Sequence, residues 1–301
     1  MSINSLFKLI IVILLTSIQS AGLTGQVQSE NGRDPVKKIL AVKGLVALWT
    51  FGEEPGNDRK SLGSGTYSLK ESGGETGRIN EGPLSGCSIF LDGTSYLSIP
   101  NSQTGMLNIY GEKCELTVMA WIKWTGEQTG FIGGMWNESQ EGGKRQYGLF
   151  VSLPYYNGGD QVCGHVSQTG KATPPFPYSI DYSASKQKVP EGKWCCVAFT
   201  YDGRFVRSYL DGIFEPREPE LISNTTGFPG YPDGLVQTKN PYFFPYGTGN
   251  NGSDFTVGAV QLRSGMGNYF KGLIGGLAVF NRRLSVREIR RISFLNNPNG
   301  Y

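Results

Sequence analysis

The 301-residue chain contains a single histidine, His165. Any Ser–His–Asp or Cys–His machinery would have to use it, and zinc sites built on two or more imidazoles are excluded. The five cysteines, at positions 87, 114, 163, 195 and 196, lack the paired CxxC spacing of structural zinc sites. Charge of one sign is also lacking. The 28 Lys and Arg against 25 Asp and Glu give a net charge of +3. With no basic stripe, nucleic acid is excluded as the expected partner. Beyond the N-terminal stretch, no run is apolar enough to span a bilayer.

What is present begins at the N-terminus. Lys8 precedes an apolar run over residues 9–15, and Ser20 and Gly22 are small residues at the −3 and −1 positions of a cleavage site. This is the pattern of a secretory signal peptide over residues 1–22, and its apolar run is short of the roughly 20 residues of a membrane span. A polar leader follows at 23–39, and the remaining 40–301 suits one large β domain. The expected location is secreted, periplasmic or extracellular. Export permits disulfides, and an odd cysteine count leaves at least one thiol unpaired or intermolecular. Cys87 with Cys114, and Cys163 with one of the vicinal pair (Cys196 being the candidate), are the pairings considered. The alternative is that all five are small buried apolar residues.

Period-two alternation dominates the chain. Strands are expected at 45–51, 116–124, 130–136, 146–152, 161–167, 193–201, 206–210, 255–260 and 269–280. In the 116–124 strand, Leu116, Val118, Ala120 and Ile122 share one face, and Met119 and Trp121 the other, which marks a central strand. Asp92-Gly93 and Asp202-Gly203 each sit between apolar runs and predict hairpins. Trp49, Trp121 and Trp194 lie in strands and are assigned to the core. Residues 52–83 predict a long exposed excursion, and 168–190 and 213–250 predict Pro- and Tyr-rich loops. One helix is signalled near the end. Ser285 and Glu288 form a capping box, and Leu284 and Ile289 a hydrophobic staple.

The order Trp194-Cys-Cys-Val-Ala-Phe-Thr-Tyr-Asp-Gly203, then Tyr209-Leu-Asp-Gly212, then the strand and helix over 270–289, resembles the laminin G-like jelly rolls of the concanavalin A-like lectin/glucanase superfamily. The likeness covers about residues 40–295. It implies an all-β fold: a two-sheet antiparallel jelly-roll sandwich with one short C-terminal helix, whose loops hold sugars or proteins. Many members carry Trp-His-His-Val where this chain has Cys195 and Cys196, so no role of those imidazoles carries over. Glucanases of the superfamily commonly carry Glu-x-Asp-x-x-Glu, and this chain has no Glu-x-Asp anywhere.

The resemblance also implies calcium on edge loops. Asn251 and Asp254, in the run 250–254, are the candidate ligands, and a turn that starts a strand is the alternative. Sugar rings stack on aromatic faces, and Trp136, Tyr155, Tyr156, Tyr178, Tyr182, Tyr242 and Tyr246 are the candidate platforms. The alternative is that these loops fold back and cover the sandwich with their own aromatics. No catalytic residue is assigned. The expected function is secreted, non-catalytic binding of a polysaccharide or other glycan. The rivals are an adhesion domain for a cell-surface protein, and a polysaccharide-degrading enzyme with an unconventional carboxylate pair. Intact-mass analysis of the exported chain should place its first residue at Leu23.

Overall fold

The computed structural model describes residues 35–139, 142–173, 179–222 and 235–293. The expected signal peptide lies outside them. In chain order the strands are β1 (Leu45–Trp49), β2 (Arg59–Lys60), β3 (Ser68–Ser72), β4 (Gly77–Ile79), β5 (Ser88–Asp92), β6 (Tyr96–Ile99) and β7 (Leu116–Trp124). There follow β8 (Gly130–Met135), β9 (Tyr147–Leu153), β10 (Gly158–Val166), β11 (Tyr182–Lys188), β12 (Trp194–Tyr201), β13 (Phe205–Leu210) and β14 (Glu220–Leu221). The last are β15 (Val236–Gln237), β16 (Tyr242–Phe243), β17 (Phe255–Val257), β18 (Val260–Leu262), β19 (Gly265–Gly267) and β20 (Lys271–Phe280). Helix α1 (Pro35–Leu40) precedes them and α2 (Val286–Ser293) follows. Among the described residues, no helix is long and apolar enough to cross a membrane.

Two antiparallel sheets face each other as the expected jelly-roll sandwich. The first runs β16-β13-β12-β7-β20-β5-β4, with β1 also paired to β20. The second runs β11-β10-β9-β8-β17-β6-β3-β2. Strand β7 is central, paired with β12 on one side and β20 on the other. Its even residues Leu116, Val118, Ala120 and Ile122 enter the core between the sheets, while Met119 and Trp121 enter a second apolar cluster on the outer face. The alternation in the sequence thus reports two buried faces rather than one. Near β10 the sheets approach closely. A Cβ on Gly164 would lie 2.4 Å from the Cβ of Phe199, so only glycine permits this contact.

Helices α1 and α2 cover the outer face of the first sheet. Ile39 from α1, and Ile289 and Ile292 from α2, pack with Met119, Trp121, Cys196 and Phe280. The capping box forms as expected. The Ser285 Oγ accepts the Glu288 N–H at 3.3 Å, and Glu288 Oε2 accepts the Ser285 N–H at 2.8 Å. Arg282 beside Glu288 holds its carboxyl down at about 2, so the box is charged at neutral pH.

Four expectations are corrected. Asp92-Gly93 does not close a hairpin: β5 pairs with β4 and β20 in the first sheet, while β6 pairs with β3 and β17 in the second. The Asp92 carboxylate instead accepts the N–H groups of Thr94 (2.8 Å) and Ser95 (3.3 Å), turning the chain from one sheet to the other. The excursion over 52–83 carries β2, β3 and β4, and its fully buried Arg59 pairs with Glu71 at 2.7 Å. The leader's end, 35–39, lies in helix α1. Trp194 is only partly buried, its Nε1–H donating to Glu81 at 2.6 Å. Asp202-Gly203, by contrast, does close a hairpin, with Tyr201 opposite Val206.

Ser285→Ala should lower stability by about 1 kcal/mol through loss of the cap, measured by urea unfolding with an unchanged slope.

Candidate functional site

The outer face of the second sheet is apolar too. Along β9, Tyr147, Leu149 and Val151 point into the core, whereas Phe150 points out. Along β10, Val162 and Val166 point in, and Cys163 and His165 point out. Phe131, Trp136, Phe150, Tyr156, Ile180 and Tyr182 gather there as a third cluster. Loops fold over it but leave a cavity of about 330 Å³.

One wall of this cavity is aromatic. It consists of Tyr155 and Tyr156, from the loop between β9 and β10, and Tyr182, from the start of β11. The Tyr182 hydroxyl reaches the carbonyls of Leu153 (3.1 Å), Tyr156 (3.0 Å) and Tyr155, and so pins the loop. Tyr156 and Asn157 hold left-handed φ values of 65° and 64°. Such a conformation is costly for a bulky side chain and persists only where surroundings impose it. Here Asn157 donates to the Leu221 carbonyl at 2.9 Å, and Arg217 donates to the Asn157 carbonyl at 3.1 Å. The β18–β19 turn and the residue after β19 add polar groups to the lining: Arg263, Ser264 and Asn268. Asn268 too is left-handed, at φ 47°.

His165 also lines the cavity, at 4% exposure. Its ring centroid lies 4.2 Å from that of Trp136 and 5.5 Å from that of Tyr182. Among the described residues, its Nε2 has no hydrogen-bond partner. A buried polar atom without a partner carries a desolvation penalty that a ligand hydroxyl would relieve. Burial holds the imidazole well below its ordinary range, and the Arg145 and Lys239 cations push the same way. It is therefore neutral at pH 7. The cavity's carboxylate, Glu138, accepts the Trp136 indole N–H at 2.9 Å and pairs with Arg145 at 3.2 Å. Beneath Tyr182, the fully buried Lys239 ammonium lies 3.7 Å from the ring centroid, and burial lowers its pKa to about 7.

The candidate aromatics are thus placed unevenly. Tyr155, Tyr156 and Tyr182 come together at this cavity, with Trp136 packed against its His165. Trp136, Tyr156 and Tyr182 are at most 3% exposed, so the loop aromatics expected at the surface largely cover the sheet instead. Tyr155, at 44%, is the solvent-facing ring. Tyr246 lies elsewhere, on a second cavity of about 550 Å³. Tyr242 is buried at 8% and donates its hydroxyl to Asp181 at 2.8 Å. Tyr178 lies outside the described residues. Sequence reasoning missed Glu138, Arg263 and Asn268: Glu138 is only the middle residue of an Asn-x-Ser acceptor pattern at 137–139, and the other two occur in no motif. Any Cys–His machinery would have to join His165 to a cysteine, and Cys163 lies two residues away on β10. The two do share a face, as alternation requires, but the Cys163 thiol contacts the carbonyls of Gly158 and Gln161 and burial pushes its pKa up to about 12. That thiol is no nucleophile.

The expected disulfides are not formed: all five cysteines are free thiols. Cys163 lies on the outer face of the second sheet and Cys196 on the outer face of the first, with the core between them. Cys195 points into that core. Cys87 contacts Arg78, and Cys114 contacts Thr248. The calcium candidates are likewise committed. Asn251 turns its amide to the Arg145 carbonyl, and Asp254 accepts the Asn101 N–H at 2.8 Å. With one carboxylate, already bonded to backbone, the loop does not fit an ion that takes about 6–8 oxygens. Among the described residues, no three His, Cys, Asp or Glu side chains gather to hold a metal.

Two facing antiparallel sheets, with a cavity of about 330 Å³ on one outer face, define a jelly-roll β-sandwich. Residues 91–229 match the family model of the concanavalin A-like lectin/glucanases superfamily, of the laminin G type, which shows the resemblance drawn from the sequence. No curated protein sequence matches the chain. Among solved structures, the binding domain of botulinum neurotoxin DC in complex with rat synaptotagmin II is similar, with a TM-score of 0.50 at 9% identity over 85% of this chain and 52% of that one. Domain 4 of AbnA, a GH43 extracellular arabinanase from Geobacillus stearothermophilus, in complex with arabinotriose, gives 0.48 at 17% identity over 83% and 98%. Trypanosoma rangeli sialidase in complex with sialic acid gives 0.47 at 15% identity over 86% and 34%. The chain thus spans about half of the neurotoxin chain and a third of the sialidase chain. At these identities the likeness is one of fold.

The buried imidazole makes stability depend on pH. Below about pH 6.5 the unfolded chain takes up a proton at this residue and the folded chain does not. Stability should therefore fall as pH drops through that region, by up to about 1.4 kcal/mol per pH unit. Thermal melts between neutral and mildly acid pH should show this decline, and His165→Gln should flatten it.

Proposed function

We propose that this protein is an exported, non-catalytic carbohydrate-binding domain, and that the aromatic cavity on the second sheet holds the sugar. One observation carries this reading. A cavity of about 330 Å³ combines three lining tyrosines, the polar side chains of Arg263, Ser264 and Asn268, and an imidazole nitrogen that lacks a partner among the described residues. A pyranose presents the same division, with apolar ring faces and a rim of hydroxyls. Tyr155 is the stacking ring, with Tyr156 and Tyr182 behind it. Ser264, Asn268, Arg263 and His165 address hydroxyls.

The carboxyl chemistry favours binding over cleavage. Glycoside hydrolysis uses two carboxyl groups across the scissile bond. Among its described lining residues this cavity has Glu138 alone, and its oxygens are taken by Trp136 and Arg145. A second reading, as a protein-binding domain, rests on Phe243. It is 51% exposed at the edge of the first sheet, and Arg204 lies 5.5 Å from its ring and from that of Phe205. Arginine beside exposed aromatics is typical of contact centres between proteins.

Affinity electrophoresis against soluble polysaccharides tests the first reading. Retardation is expected for one glycan class, without release of reducing ends and unchanged by EDTA. Tyr155→Ala should weaken it about tenfold, the value of one aromatic contact. Retardation lost in Phe243→Ala but kept in Tyr155→Ala would move the site to the edge of the first sheet.

A further inference from the structure

The second cavity, of about 550 Å³, has no part in the site described above. It is lined by Gln168, Thr169, Lys171, Asp181, Phe244 and Tyr246, among others. Tyr246 is 66% exposed, and the Phe244 ring stands against it edge to face, with centroids 5.2 Å apart and planes at 87°. That contact gives the exposed ring a firm backing, and an amide, a hydroxyl and an ammonium group surround it. The chemistry is again a flat apolar platform inside a polar rim.

The two cavities share a wall. Ser179 and Tyr182 line the first, and Asp181, between them in sequence, lines the second. This short segment is held from three sides. The Asp181 carboxylate accepts the hydroxyls of Tyr242 (2.8 Å) and Thr173. The buried Lys239 ammonium donates to the carbonyls of Ile180 (3.2 Å) and Tyr182 (3.4 Å). The Tyr182 hydroxyl bonds the loop beyond. The segment that contributes to both linings is thus held in place.

We infer that the second cavity is a second saccharide subsite, and that one glycan chain occupies both, so the domain selects polymers by length. This inference rests on the carbohydrate-binding reading and extends it. Once one end of a chain is bound, the other meets its subsite at an effective concentration in the millimolar range, and two weak contacts combine into a stronger one. Neither subsite then needs to be tight by itself.

The test is calorimetric titration of the full chain with arabino-, xylo-, cello- and galacturono-oligosaccharides, each from disaccharide to hexasaccharide. For the series that binds, short members should bind weakly with two equivalents per protein. The longest should bind with one equivalent, about a hundredfold more tightly. Tyr246→Ala, at an exposed position, should bring the longest member down to the affinity of the short ones and remove one short-ligand equivalent. Suppose instead that affinity is independent of length, or that Tyr246→Ala changes nothing, while Tyr155→Ala still weakens binding about tenfold. The inference then fails and the first cavity stands. If no saccharide of any length binds, the carbohydrate reading itself fails. Release of reducing ends would overturn binding without cleavage, since Glu112 and Asp181 both line the second cavity.

Discussion

Burial of both faces of both sheets is the constraint on which the rest of this molecule depends. A sandwich with only an inner core can leave its outer faces polar and wet. Here Met119, Trp121 and Phe280 point out of the first sheet, and Phe131, Phe150 and Tyr182 out of the second. Each outer face must therefore be covered. The first is covered by helices, which satisfy their own backbone. The second is covered by loops, which cannot do so, and their carbonyls are met by Tyr182, Arg217 and Lys239. A helix makes a smooth lid. Irregular chain leaves gaps, and the aromatic cavity is such a gap.

That origin explains why strain and polar groups gather where they do. Non-glycine left-handed residues cluster at the β9–β10 hairpin, at Ser152, Tyr156, Asn157 and Asp160, and Asn268 in the same cavity's lining is another. Conformations of this kind cost of order 1–3 kcal/mol each and need support from around them. The support is the same set of hydrogen bonds that shapes the cavity, so the aromatic wall is set before any ligand arrives. Such preorganisation is what a weakly contacting ligand requires, because little ordering is left to be done on binding.

Much of the fold was legible in the sequence. The odd and even residues of β7, the Ser285–Glu288 box and the Asp202-Gly203 hairpin each express a local rule, and each is found. Asp92-Gly93 shows where local rules end. The dipeptide is the same, but β5 and β6 take their partners from β20 and β17, far along the chain, and those pairings override the turn signal. For the site, the residue types were legible and their exposure was not. Tyr156, Tyr182 and Tyr242 were expected as exposed loop aromatics; all three are buried, and Tyr182 and Tyr242 begin strands β11 and β16. Whether a loop ring faces water or the sheet depends on which strand lies beneath it, and no spacing in the chain encodes that. His165 did leave a trace, since the parity of β10 puts it opposite Val162 and Val166.

Helices α1 and α2 lie together on the outer face of the first sheet, and the aromatic cavity opens on the outer face of the second. The chain thus enters and leaves the sandwich on the side turned away from the proposed ligand. A ligand in that cavity would therefore approach the sandwich from the face that carries neither helix.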